Sequence, residues 1–163
     1  MSEISRQEFQ RRRQALVEQM QPGSAALIFA APEVTRSADS EYPYRQNSDF
    51  WYFTGFNEPE AVLVLIKSDD THNHSVQLYQ LLNGLDVVYH AQGEYAYADE
   101  IVNSALEKLR KGSRQNLTAP ATMIDWRPVV HEMRLFKSPE EIAVLRRAGE
   151  ITALAHTRAM EKC

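Results

Sequence analysis

The sequence predicts an α/β fold in which a mixed β-sheet is flanked by helices, and three observations support that prediction. Residues 25–31 and 61–66 form continuous apolar runs, which are typical of strands that are covered on both faces. Residues 96–111 carry an apolar stripe at helical spacing, so the chain contains helices as well as strands. With 163 residues, of which 44% are hydrophobic, the chain is long enough to bury one such core.

The first half of the chain is predicted to contain a helix, a strand, a loop and a hairpin. Residues 5–20 form an amphipathic helix, whose three consecutive arginines are interpreted as part of a solvated face. The strand 25–31 follows, and the polar stretch 32–49 shows neither helical nor strand periodicity. Residues 50–54 are predicted as a strand that pairs with 61–66 through a Gly/Pro turn, as an antiparallel hairpin.

The second half is predicted to return to the sheet and then to become helical. Residues 77–83 suit a short helix and residues 85–89 a strand. The helix over 96–111 is expected to end at Gly112, where a C-terminal glycine cap belongs. A further short helix is expected over residues 127–133.

The last predicted helix has the clearest start signal of the chain. Ser138 stands at the N-cap, Pro139 at the first helical position and Glu141 at the third, which together form a capping box. An apolar stripe continues from Ile142 at helical spacing, so this helix is expected to run from residue 138 to residue 163.

Composition excludes several classes of function. The net charge of −4 argues against a nucleic-acid partner, which requires a basic surface. No apolar run is long enough to span a bilayer, and the polar first residues do not resemble a secretion signal, so no membrane partner and a cytoplasmic location are expected. The single cysteine, Cys163, suits a reducing compartment.

The polar stretch 32–49 holds the candidate binding residues. It leaves the end of an apolar strand, and ligands of open α/β sheets tend to bind at the carboxyl ends of strands. The residues that could contact a peptide terminus or a neighbouring subunit are Arg36, Asp39, Tyr44, Arg45 and Asn47. The alternative is a solvated loop whose charges pair with one another, and the sequence leaves both interpretations open.

The sequence shows no clear motif for metal binding, nucleophilic catalysis or phosphate binding. His72 and His74 follow Asp69 and Asp70 and would share one face of a strand, but no further ligand has a suitable spacing for a metal. No nucleophile elbow and no phosphate-binding glycine loop is present. No catalytic residue and no metal ligand is therefore assigned to this chain.

Two segments resemble the Xaa-Pro aminopeptidase (aminopeptidase P) family, of bacterial type, which is related to prolidase and creatinase. The first is Tyr-Arg-Gln-Asn-Ser-Asp-Phe-Trp-Tyr-Phe-Thr-Gly over residues 44–55. The second follows the pattern Arg-x-x-Lys-Ser-x-x-Glu-Ile, and its residues here are Arg134, Lys137, Ser138, Glu141 and Ile142. Both segments occur in the order in which the family has them.

The resemblance implies the fold of a creatinase/prolidase N-terminal domain, a sandwich similar to RNase H, placed before a "pita-bread" catalytic domain. It implies that residues 1–137 are this domain, shortened after Val76, and that residues 138–163 are a linker helix leading to a catalytic domain outside the chain. In the family, that catalytic domain holds two divalent metals, usually manganese, which activate water for hydrolysis. None of those metal ligands can be assigned here, so the chain by itself is expected to be inactive.

The main hypothesis is an accessory domain of a metal-dependent Xaa-Pro aminopeptidase, serving oligomer assembly and substrate access. Its implied partners are its own catalytic domain, other subunits of a homo-oligomer and, in the parent enzyme, proline-containing peptides. The alternative is a free-standing binding module derived from that family. A nuclease similar to RNase H is disfavoured, because the predicted strands lack the carboxylates that such an enzyme needs.

Overall fold

The computed structural model describes residues 5–33, 43–68 and 77–135, and the backbone of residues 152–156. The helices are α1 (Arg6–Gln19), α2 (Ser48–Thr54), α3 (Leu78–Leu82), α4 (Ala96–Lys111) and α5 (Arg127–Leu135). The strands are β1 (Ser24–Phe29), β2 (Val62–Lys67), β3 (Val87–His90), β4 (Thr122–Ile124) and β5 (Thr152–His156). None of the helices in these described ranges combines the length and apolarity needed to cross a membrane.

One mixed sheet contains the described strands, in the order β4-β3-β1-β2-β5. β1 pairs parallel with β3 and antiparallel with β2, while β4 adds parallel to β3 and β5 adds antiparallel to β2. Every residue of the central strand β1 is buried. The predicted fold class, a mixed sheet flanked by helices, is therefore confirmed.

Alternate residues of β1 face two separate apolar cores, one on each side of the sheet. Leu27 and Phe29 lie in the core that α3 and α4 cover, whereas Ala26 and Ile28 lie in the core that α1, α2 and α5 cover. The strand is apolar throughout because both of its faces are covered. On the second side, the buried indole of Trp126 donates to the carbonyl of Leu27 at 2.8 Å, which ties the start of α5 to the sheet.

The strand predicted over residues 50–54 is wrong, because these residues belong to helix α2. The buried positions of α2 are spaced as on a helix rather than alternating, and they are Asp49, Phe50, Phe53 and Thr54. A run of consecutive aromatics does not reveal its period in the sequence, so β-propensity favoured the wrong element. The predicted hairpin is also wrong, since β2 pairs with β1 instead.

Helix α2 begins and ends on local signals. The side chain of Asn47 accepts two first-turn amides at 3.0 and 2.9 Å, and Gly55 ends the helix with a left-handed φ of 68°. The guanidinium groups of Arg12 and Arg13 donate to last-turn carbonyls at 2.9 and 2.7 Å. Two of the three consecutive arginines thus bind α2, so the solvated-face interpretation is wrong for them.

The sheet also contains a strand where the last helix was predicted. The linker helix over 138–163 is contradicted at Thr152–His156, which forms β5 and pairs with β2. Residues 136–151 and 157–163, including the capping box, lie outside the described residues. A strand on β2 satisfies backbone groups that would otherwise form an open edge, and this tertiary gain overrides the local helical pattern.

The remaining predictions agree with the structure except at one edge. Helix α4 has the predicted bounds, and α1, α3, α5, β2 and β3 fall within a few residues of their predicted positions. Gly112 follows α4 as expected, but its φ is −93°, and glycine is needed there because a Cβ atom would lie 2.3 Å from Leu117 Cδ1. The short edge strand β4 was not predicted, since its three residues show no apolar run.

Candidate functional site at the carboxyl end of the sheet

The candidate site lies at the edge of the sheet where the parallel strands β1 and β3 both end. Gln46 is the centre of the hydrogen bonds at this edge. Its Oε1 accepts from the amides of Ala31 and Asn47 at 2.9 and 2.8 Å and from the hydroxyl of Tyr44 at 3.1 Å. Its Nε2 donates to the carbonyl of Glu58 at 2.9 Å. One amide side chain therefore joins the end of β1, the segment before α2 and the turn before β2.

Tyrosine hydroxyls close the end of β1. Tyr44 donates to the carbonyl of Ala31 at 2.7 Å, and Tyr97, from α4, donates to the carbonyl of Ala30. Burial, with the nearby Tyr95 as a smaller cause, raises the pKa of Tyr44 to about 12. Tyr44 therefore remains a protonated donor across the physiological range, and its role in this network is structural.

Asn47 connects the start of α2 to the start of α4. While its Oδ1 caps α2, its Nδ2 donates to Glu94 Oε1 at 3.1 Å and to the hydroxyl of Tyr95 at 2.8 Å. Burial raises the pKa of Glu94, and the negative charge of Asp49 raises it further. All four hydrogen bonds of the Asn47 amide group are made inside the protein, so the residue fixes the relative position of the two helices.

Arg45 differs from its neighbours because its side chain is exposed and makes no hydrogen bond or ion pair with the residues that the structure describes. Of the five predicted site residues, the structure brings Tyr44 and Asn47 into one network through Gln46. Arg36 and Asp39 lie outside the described residues. Arg45 is thus the predicted residue in the described part that remains available to an external partner.

Sequence reasoning missed three members of this site, Gln46, Glu94 and Tyr95. A usable signal existed for the last two, because they stand between the strand β3 and the helix α4, at a carboxyl strand end. Gln46 belongs to the family motif over residues 44–55, but nothing in the sequence marked it as a site residue. Its importance depends on the convergence of segments that are distant in the sequence.

A buried histidine lies next to this network. His90 Nε2 is 2.8 Å from Asp99 Oδ1, and both carboxylate oxygens of Asp99 accept the amide of Gly93 at 3.2 and 3.1 Å. His90 Nδ1 is buried and has no hydrogen-bond partner. Burial lowers the pKa of His90, although the hydrogen bond and charge of Asp99 oppose the shift. The pair holds the start of α4 against β3.

The two motifs that carry the family resemblance meet in the structure. Arg134 Nη1 donates to Asp49 Oδ1 at 2.7 Å and to Ser48 Oγ at 3.3 Å, which joins the end of α5 to the start of α2. Asp49 is buried, so the guanidinium compensates a carboxylate that has lost most of its water. The motifs therefore share one ion pair across 85 positions of sequence.

The polar contacts at this edge hold segments of the domain in position. Among residues 5–33, 43–68 and 77–135, no group of three or more His, Cys, Asp or Glu side chains could hold a metal ion. The histidines and aspartates predicted as a weak metal candidate, at positions 69–74, lie outside the described residues. The hydrogen bonds of Tyr44 and Gln46 fix the segment before α2 against the end of β1, and the Arg45 side chain is exposed beside them.

Comparisons with known proteins agree with the resemblance seen in the sequence. The family described as "Aminopeptidase P, N-terminal domain" matches residues 9–86. The Xaa-Pro aminopeptidase of Escherichia coli (strain K12) is 79% identical over 203 positions, which take in 100% of this chain and 46% of that protein. The Xaa-Pro aminopeptidase of Haemophilus influenzae is 33% identical and covers 99% of this chain and 44% of its own length.

Solved structures give the same result. A zinc-substituted Escherichia coli aminopeptidase P in complex with product matches with a TM-score of 0.77 and 77% identity, over 91% of this chain and 43% of that chain. The same enzyme with the inhibitor Pro-Leu matches with a TM-score of 0.76 and 75% identity, over 90% of this chain and 42% of that chain.

The chain spans less than half the length of these relatives. Because it has 163 residues, the alignment of 203 positions with the Escherichia coli protein includes 40 that have no counterpart in it. The matching region carries the motifs, the mixed sheet and the helices described above. The chain therefore belongs to the aminopeptidase P family and corresponds to the N-terminal domain of those enzymes.

Proposed function

We propose that this chain is the accessory domain of a metal-dependent Xaa-Pro aminopeptidase and that it serves oligomer assembly and substrate access. The observation that carries the proposal is the contrast at the carboxyl end of the sheet. Tyr44, Gln46 and Asn47 bind within the domain, whereas Arg45, between them in sequence, is exposed on a rigid support. A fixed backbone with one exposed guanidinium suits the recognition of a carboxylate.

The proposal assigns the chemistry of peptide hydrolysis to a second domain. Two divalent metals, manganese in our proposal, would be held there and would supply a metal-activated water for cleavage before proline. In this chain, the acidic residues near the site, Asp49, Asp99 and Asp125, each bind an internal partner. Their role is to hold α2, α4 and α5 in place. The cytoplasm is the proposed location, and residues 1–137 are the proposed extent of the domain.

The first test separates the accessory role from catalysis. The purified chain, with Mn²⁺ added, is expected to release no residue from a peptide whose second position is proline. The part of the Escherichia coli relative that lies beyond the match is then produced separately and assayed with and without this chain. Activity that rises on addition of the chain supports the accessory role, whereas metal-dependent release by the chain alone contradicts it.

The second test concerns Arg45. Arg45→Ala is expected to leave the thermal unfolding temperature unchanged, because the side chain makes no bond in the described part, and to weaken association with the second part or with other subunits. Arg110→Ala, which changes another exposed arginine, on α4, is the matched control. Sedimentation velocity measures the association, and equal behaviour of the two variants removes Arg45 from the proposal.

A free-standing binding module is the second candidate. The observation in its favour is the set of 40 aligned positions that the Escherichia coli relative has and this chain lacks. A chain that neither binds the second part nor restores its activity, yet folds cooperatively, would favour this candidate.

A further inference from the structure

The largest exposed apolar side chains of the described part are gathered on one side of the domain. Trp51 is 43% exposed, Phe56 is 50% exposed and Leu135 is 76% exposed, and these are the large hydrophobic residues that are exposed in the described ranges. Trp51 is in α2, Phe56 follows α2, and Leu135 ends α5 beside the Arg134–Asp49 ion pair. We call the surface formed by Phe9, Trp51, Tyr52, Phe56 and Leu135 the aromatic face.

The aromatic face is held rigidly rather than on a mobile loop. The rings of Phe9 and Trp51 meet edge to face, with centroids 6.3 Å apart. Phe9 also packs against Gly55, where a Cβ atom would lie 2.6 Å from Phe9 Cζ, and the left-handed Gly55 directs the chain to Phe56. Rigid aromatic side chains lose little conformational entropy when they bind, so such a surface is suited to association.

Two guanidinium groups complete the aromatic face. Arg12 Cζ lies 4.2 Å from the centroid of the Tyr52 ring, and Arg134 Cζ lies 5.4 Å from the same centroid. Each also has a carboxylate partner, Glu8 for Arg12 and Asp49 for Arg134. Tryptophan, tyrosine and arginine are the residues that dominate binding energy at protein interfaces. An apolar centre with arginines beside it therefore matches a protein partner better than a small polar ligand.

The length of the relatives indicates which protein the aromatic face binds. Arg134 anchors the end of α5 to α2, so Leu135 is held at the aromatic face, and the chain later returns to the sheet as β5. The relatives extend well beyond the region that this chain matches, which is 46% of the Escherichia coli protein. A second domain that follows β5 in the same polypeptide is tethered to this one, so it meets the face at a high effective concentration.

We propose that the aromatic face is the docking surface for the second domain of the enzyme, which contributes apolar side chains at the centre and carboxylates opposite Arg12 and Arg134. This inference rests on the proposed function, because it takes the catalytic domain as the partner. It goes further by assigning a contact to α2 and the end of α5, in addition to the loop that carries Arg45.

The test uses the two tryptophans of the chain, Trp51 and Trp126, of which Trp126 is buried. The chain is labelled with 5-fluorotryptophan and observed by ¹⁹F NMR, with Trp51→Phe to assign the two resonances. The probe is the unlabelled part of the Escherichia coli relative that lies beyond the match. On its addition, the Trp51 resonance is expected to move and to lose its H₂O/D₂O solvent shift, while the Trp126 resonance remains in place.

Variants make the test quantitative. Trp51→Ser and Phe56→Ser are each expected to raise the Kd for the second part about tenfold or more, as truncation at an interface hot spot does. Tyr79→Ser is the matched control, because Tyr79 also stacks with a cation, Lys108, at 4.1 Å, but lies on α3 on the other side of the sheet. Tyr79→Ser is expected to leave the Kd unchanged.

The outcomes distinguish this inference from the proposed function. A complex that forms and restores activity while the Trp51 resonance is unmoved overturns the inference and leaves the proposed function standing. A Trp51 resonance that moves with the concentration of the chain alone indicates a second copy as the occupant, and it also overturns the inference. The absence of both a complex and restored activity overturns the proposed function together with the inference.

Discussion

The helices on the two sides of the sheet, the α3/α4 layer and the α1/α2/α5 layer, differ in the residues that they expose at the protein surface. The α3/α4 layer exposes charged side chains to solvent, such as the Glu107–Lys111 ion pair at 2.9 Å. The α1/α2/α5 layer exposes the aromatic face, and its Arg134–Asp49 ion pair has a buried carboxylate. Both layers bury an apolar core of similar make-up against the same sheet. The difference fits the proposal that a second domain covers the α1/α2/α5 side.

The largest expected effect tests whether the α1/α2/α5 layer depends on one anchor. Trp126→Ala removes the largest fully buried side chain and its hydrogen bond to Leu27, so it should lower the free energy of unfolding by about 3–5 kcal/mol. Urea unfolding monitored by circular dichroism measures the change. Leu109→Ala in the other core should cost about 2–5 kcal/mol. A Trp126→Ala loss below that of Leu109→Ala would mean that the indole is not the anchor.

The second prediction compares one ion pair from each layer, Arg134–Asp49 from the α1/α2/α5 layer and Glu107–Lys111 from the α3/α4 layer. Arg134→Met leaves a buried carboxylate without its cation and should lower the free energy of unfolding by about 1–2 kcal/mol, the partial exposure of Arg134 limiting the loss. Lys111→Met, which breaks the exposed pair on α4, should leave the free energy of unfolding essentially unchanged, because solvent screens the two charges.

A double-mutant cycle with Asp49→Asn isolates this interaction from other effects of the Arg134 substitution. Coupling between the two positions is the expected result. Strictly additive losses would show that Arg134 stabilises α2 through Tyr52 rather than through the carboxylate.

Asn47 joins the two layers, so its loss should affect both. Asn47→Ala removes the N-cap of α2 and the bonds to Glu94 and Tyr95, and it should cost about 1–2 kcal/mol. Asn47→Asp keeps the cap but places a carboxylate near Glu94, so it should recover only part of that loss. Hydrogen exchange at the first turns of α2 and α4 is the measurement. Faster exchange confined to α2 would contradict the role of Asn47 in joining the helices.

The smallest expected effect concerns pH and the α3/α4 layer. The pKa of His90 is lowered in the folded chain, so between the ordinary value of about 6.5 and the folded value the unfolded chain binds the extra proton. The free energy of unfolding should therefore fall as the pH is lowered through this window, by at most about 1.4 kcal/mol per pH unit. The stability is fully present above the ordinary pKa.

His90→Gln is the control for this dependence, and the difference between its unfolding profile and that of the parent chain isolates the histidine. The raised pKa of Glu94 acts in the opposite direction at lower pH, and it is common to both proteins. If the free energies of unfolding of His90→Gln and the parent chain changed identically between pH 7 and pH 5.5, protonation of His90 would not destabilise the folded chain.

Much of the fold could be predicted because its signals are local. The runs that became β1 and β2 are apolar at every position, and the stripe and ends of α4 lie within its own sixteen residues. The site was harder to predict. Tyr44 and Asn47 were identified, but Gln46 and Glu94 acquire their roles from partners elsewhere, such as the 47 positions that separate Asn47 from Glu94.

The misassigned elements show the same limit. The aromatic run of α2 fits a strand or a helix until it is known which of its side chains reach the core, although Asn47 and Gly55 already mark helix ends in the sequence. The strand β5 has a helical pattern in the sequence, and only the open edge of β2 makes an extended conformation favourable there.

The sequence by itself determined the α/β class, the central strands, the helix α4 and the resemblance to a peptidase family, since each depends on the spacing of nearby residues. Only the tertiary structure decided that α2 is a helix, that the polar residues beside Arg45 bind within the domain, and that the two family motifs meet at Arg134 and Asp49. The physical reason is that buried polar groups must find partners wherever the fold supplies them. Which partner is available depends on packing between segments that are distant in the chain.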